Sequence, residues 1–108
     1  MKLKIPVFIS LAIVCYCCSP TVYKPTLADV ETGKKKYADL TMEQLNSGFH
    51  LYSDKCGSCH QLYKPYEISE ERWTKVLPDM KVEAKLSDKE YELICRYVQS
   101  KNTNAPPQ

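Results

Sequence analysis

The sequence contains no apolar run long enough to cross a bilayer, no second cysteine pair at metal-ligand spacing, no internal repeat and, beyond its first 18 residues, no net charge. Each absence removes a class of function. The apolar run Ile5 to Val14 has ten residues, where a spanning helix needs about 20. The 15 Lys and Arg less Lys2 and Lys4 leave 13, against 13 Asp and Glu, a balance that argues against nucleic acid as a partner. A zinc site built on one Cys-x-x-Cys pair needs two further ligands, commonly a second pair, and none is present. A dithiol oxidoreductase sets its pair at a strand end in a βαβ context, and nothing before Cys56 reads as a strand.

What is present is the run Cys56-Gly57-Ser58-Cys59-His60. Two thiols separated by two residues and followed at once by an imidazole form the c-type haem attachment pattern. Both sulfurs can add to the vinyl groups of one porphyrin, and His60 then reaches the iron as proximal ligand. One covalent haem c is therefore the expected cofactor, with Cys56, Cys59 and His60 binding it.

The chain start reads as a lipoprotein signal over residues 1–17. Lys2 and Lys4 supply the positive n-region and Ile5 to Val14 the apolar h-region, and such a segment is removed rather than folded. Cys15, Cys17 and Cys18 crowd its end. Cys18 is the favoured lipidated residue because the small Cys17 precedes it, whereas Cys17 follows the bulky Tyr16; Cys15 is the alternative. The expected location is periplasmic, held to a bacterial membrane by N-terminal lipid. Residues 18–39, with Pro20, Pro25, Gly33 and the run Lys34-Lys35-Lys36, lack periodic apolar spacing and read as a flexible tether.

Residues 40–101 read as the folded domain, an all-α unit of about three helices around the haem, and 102–108 as a disordered tail. About 90 residues make a marginal core without a staple. Thr41 and Gln44 form a capping-box pattern that opens the first helix, whose inward face is Leu45, Gly48, Phe49 and Tyr52. Gly48 inside a helix costs about 1 kcal/mol against Ala, so a partner backbone should approach it closely. Ser69 reads as the N-cap of the next helix, with Glu70 and Glu71 at the positive end of its dipole. Trp73, Val76, Leu77 and Met80 form its apolar face, and Pro78 is expected to end or kink it just before Met80. Ser87 with Glu90 opens the last helix, which turns Tyr91, Ile94, Tyr97 and Val98 inward and crosses the first. Cys95 has no assigned role and reads as a half-buried, inert thiol.

The segment from about Leu40 to about Ser100 resembles the small single-haem class I-like cytochromes c, in particular short lipoprotein cytochromes of Bacteroidetes type. The residues that carry the resemblance are Gly48, Tyr52, the Cys56 to His60 run, Trp73 with Met80 seven positions on, and Ser87 to Val98. It implies that Gly48 and Tyr52 lie at the crossing of first and last helices, and it makes the Pro65 carbonyl a candidate partner for the His60 ring, although the corresponding proline lies further from the histidine in larger members. Met80 is the expected sixth ligand. Apart from Met42, no other methionine is at hand, and none but Met80 follows the motif. The alternative is a core methionine completing a helical stripe.

A His/Met haem passes single electrons rather than making or breaking bonds. The expected function is a membrane-tethered electron carrier, not an enzyme, acting as a monomeric domain with redox partner proteins. Two alternatives stand beside it: a haem-bearing sensor or subunit of a larger redox complex with an open or displaceable sixth position, and a haem-free thiol-disulfide oxidoreductase.

Overall fold

The computed structural model describes residues 24–57 and 62–102. Among these residues the chain is all-helical, with α1 at Leu27–Gly33, α2 at Met42–Leu51, α3 at Glu70–Glu83 and α4 at Asp88–Asn102. A π-helical turn, Tyr52–Cys56, extends α2, and a short 3-10 turn, Pro65–Glu67, precedes α3. The signal segment, the three cysteines at its end, Cys59, His60 and the tail from residue 103 lie outside the described residues. Among the described residues no helix is long and apolar enough to cross a membrane.

Helix α2 starts where its capping box places it. The Thr41 hydroxyl accepts the Gln44 N–H at 3.2 Å, and the Gln44 side chain accepts the Thr41 N–H at 3.3 Å. Its inward face then meets α4 at Gly48. A Cβ there would lie 2.2 Å from the Leu93 carbonyl oxygen and 2.8 Å from the Tyr97 Cβ, so glycine is what lets the two helices cross at backbone contact. Leu45, Tyr52, Ile94, Tyr97 and Val98 are buried around this crossing. The tyrosines interlock, with Tyr52 and Tyr97 rings 5.7 Å apart and Phe49 edge-on to Tyr97 at 5.7 Å.

Two expectations are corrected. The segment 24–39 is no tether: it holds α1, docked on the C-terminal half of α4. Its polar composition hid this, because α1 is fixed by a buried ion pair and one apolar residue, Val30 packed with Leu40 and Leu45, rather than by an apolar stripe. Asp29 meets Lys101 at 2.9 Å, with side chains 1 % and 9 % exposed, and Asp29 also accepts the Thr26 N–H and hydroxyl at 2.6 and 2.9 Å. Gly33 sits so close to α4 that a Cβ would lie 2.3 Å from the Ser100 hydroxyl. Beyond it, the Arg96 guanidinium grips both Asp39 oxygens at 3.0 and 3.3 Å, bonds Glu92 and Gln44, and lies 4.8 Å above the Tyr37 ring. Among the described residues the fold therefore has four α-helices, where about three were expected.

Pro78 does not end α3 before Met80 either. The helix continues to Glu83 because Pro78 and Thr74 both lie on its exposed side, where water can take the Thr74 carbonyl that the ring leaves without a donor. It stops instead in a Schellman turn. The Leu86 N–H reaches the Lys81 carbonyl at 3.0 Å and the Lys85 N–H the Val82 carbonyl at 3.2 Å, with Lys85 in the left-handed region at φ 53°, a position that favours glycine.

Candidate functional site

Cys56 is the last residue of the π-helical turn, and Tyr52 and Cys56, at its opposite ends, are both buried. The Ser53 hydroxyl donates to the Phe49 carbonyl at 2.8 Å within the same stretch. Tyr52 anchors the returning chain: its hydroxyl donates to the Tyr63 carbonyl. Tyr52, which precedes the attachment run, is thus tied to Tyr63, which follows it. Burial pushes the Tyr52 phenol well above its ordinary range, so it remains a neutral donor.

Trp73 performs the corresponding service from α3. Its Nε1 donates to the Pro65 carbonyl at 2.7 Å, and its ring stands edge-on to Tyr52 at 6.2 Å. Being buried at 1 % exposure with its single donor satisfied, it fixes the 3-10 turn against the core. The Pro65 carbonyl that the sequence suggested for His60 is therefore engaged with Trp73; a carbonyl oxygen has two lone pairs.

Between these elements lies a cleft of about 550 Å³, lined by Tyr52, Tyr63, Glu67, Ile68, Arg72, Trp73, Val76 and Met80, a volume typical of ligand sites. The stripe on α3 divides its duties. Trp73 and Leu77 enter the core, while Val76 and Met80 join Trp73 in walling the cleft. Cys56 and Met80 belong to one apolar cluster. The cleft offers aromatic and aliphatic walls, a thioether, and opposite charges from Arg72 and Glu67. These residues fit a porphyrin with carboxylate substituents and a soft iron ligand.

His50 is exposed beside Phe49, at 5.2 Å between rings, and does not line the cleft. Tyr63 lines it; Tyr66 is half-buried and is not among the lining residues. Sequence reasoning missed Ile68 and Glu67, whose placement follows from the 3-10 turn, a feature without a periodic signal, whereas Arg72, read from the sequence as positive charge near the haem side, does line the cleft. Cys95 is half-buried on α4, where burial pushes its thiol up and away from reactivity.

A family model for dihaem cytochrome c matches residues 52–107, a little over half the chain, from the π-helical turn through α3 and α4. The chain belongs to this family. No curated protein and no solved structure matches it. Membership of the dihaem cytochrome c family makes haem-based electron transfer the activity of this fold, and the all-helical architecture is that of a small cytochrome c domain. Although the family is described as dihaem, this chain contains one Cys-x-x-Cys-His run, at Cys56 to His60.

Proposed function

We propose that the protein is a single-electron carrier with one c-type haem, bound through Cys56 and Cys59, with His60 and Met80 as axial ligands, and tied to a bacterial membrane on the periplasmic side by lipid on Cys18. The observation that carries this reading is the position of Met80: its side chain walls the same cleft as Trp73 and Tyr52 and packs on the cluster that buries Cys56. Haem held between histidine and methionine supplies a one-electron couple at raised potential with no open coordination position. The protein's own residues supply the rest. Tyr52 and Trp73 hold the chain on either side of the attachment run, Val76 and Ile68 exclude water from the cleft walls, and Met80 presents its sulfur from the third turn of α3, which Pro78 does not interrupt.

The test is an absorption spectrum, oxidised and reduced, of the protein made in a bacterial periplasm with haem-attachment machinery, followed by acid-solvent extraction. Colour that stays with the protein, and a ferric sulfur-to-iron band at long wavelength that Met80→Ala abolishes, support the carrier. Covalent colour without that band, together with carbon monoxide binding, moves the reading to a sensor or a subunit with an open sixth position. A colourless protein with titratable thiols at Cys56 and Cys59 refutes haem attachment and returns the pair to dithiol chemistry.

A further inference from the structure

We propose that Arg72 pairs with a carboxylate of the group held in the cleft, a haem propionate under the carrier reading on which this assignment rests, and that it thereby sets both the seating of the group and its potential. The argument starts from the charges around the start of α3. Three acidic side chains are neighbours of Arg72 in sequence, and each is engaged elsewhere. Glu67 accepts the Lys64 backbone N–H at 2.9 Å, Glu70 pairs with Lys36 at 2.8 Å, and Glu71 pairs with Lys75 one turn on at 2.8 Å. Among the described residues the Arg72 guanidinium has no ion pair, yet it lines the cleft beside Trp73.

The contrast with Arg96, the chain's other arginine, is instructive. Arg96 spends its donors on Asp39, Glu92 and Gln44 inside the protein, whereas Arg72 keeps its own for the cleft. A guanidinium is a planar fork that matches a carboxylate with two parallel hydrogen bonds, and a propionate is the anionic part of a haem. Among the described residues Arg72 is the one basic side chain lining this cleft. Its positive charge would offset the propionate charge that favours ferric iron, so it raises the potential. It would also keep that propionate ionised to lower pH.

The experiment measures the midpoint potential of the holoprotein from pH 5 to 9 for the parent, Arg72→Gln and Arg72→Lys. Both variants keep a good helix former at an exposed position. The expected result is a lower potential in Arg72→Gln, with the pH range over which the potential falls moved upward by about one unit, the low end for a carboxylate losing an arginine at a partly exposed site. Arg72→Lys, which keeps the charge without the fork, recovers most of both changes. Coincident curves for Arg72→Gln and parent, with the visible spectrum intact, overturn the assignment and leave the carrier reading standing. A parent without covalent haem fails the carrier reading itself, and this is seen before any variant is made.

Discussion

Replacing Lys101 with methionine should release the N-terminal helix while leaving the haem domain folded. The change removes one partner of a pair buried almost completely, the carboxylate of Asp29 being 1 % exposed. Breaking a buried ion pair by removing one side costs about 3–5 kcal/mol, because the remaining charge is uncompensated. Asp29 still holds the Thr26 N–H and hydroxyl, which sets the loss at the lower end, about 3 kcal/mol. The protein can avoid this by lifting α1 into water rather than by unfolding, and α1 has seven residues, too few to remain helical alone. At about 1.4 kcal/mol per decade, the open population rises roughly 100-fold. Amide hydrogen exchange reads this directly: α1 amides should exchange roughly 100-fold faster in Lys101→Met, with the amides of α2 and of the centre of α4 unchanged. Adding Asp29→Leu removes the stranded charge and should restore most of the protection. Exchange in α1 at the parent rate in Lys101→Met would refute the reasoning.

Three further changes probe the frame. Gly48→Ala gains about 1 kcal/mol of helix propensity but sets a methyl 2.2 Å from the Leu93 carbonyl oxygen, a backbone atom that cannot step aside. The overpacking should win, for a net loss of about 1–2 kcal/mol in thermal unfolding. Lys85→Gly relieves the left-handed residue that ends α3 and should stabilise by about 0.5–1 kcal/mol, seen as a melting temperature a few degrees higher. Asp39 is held below the usual carboxylate range by the hydrogen bond from Arg96, and Asp88 by that from Lys81. A depressed folded pKa contributes stability above the unfolded value of about 4 and loses it as pH falls through the folded value. Denaturation midpoints should therefore drop below about pH 4, and Asp39→Asn should flatten that part of the curve.

The sequence was most informative where structure is decided within a few residues. The capping boxes at Thr41 and Ser87 and the N-cap at Ser69 all form as their local chemistry requires, the Ser87 pair at 2.9 and 3.2 Å and Ser69 accepting the Arg72 N–H at 3.3 Å. Gly48 was legible for another reason, since a glycine at an inward position of a helix calls for a neighbouring backbone. Helix α1 was not legible, because Asp29 and Lys101 lie 72 positions apart and each alone looks like a solvated charge. Pro78 misled because its effect depends on which side of the helix it occupies, and the local rule carries no term for that. The cleft was half legible. Trp73 and Met80 stood out by type and spacing, but Arg72 reaches it only through the angle at which α3 begins.

Under the proposed lipid anchor on Cys18, the docked α1 would also set how far the domain stands from a membrane. Were residues 18–39 all slack, the leash would be some twenty residues long, with a mean span of roughly 25 Å. With the chain clamped from Thr26 onward, a lipid on Cys18 would leave seven residues, eight Cα-to-Cα steps, between anchor and body. Fully stretched, eight steps reach at most about 28 Å. Under that proposed anchoring the side that carries α1 and the end of α4 would face the lipid surface. A redox partner would then approach from the remaining hemisphere, so a clamp made of one aspartate and one lysine becomes a restriction on the direction from which electrons arrive.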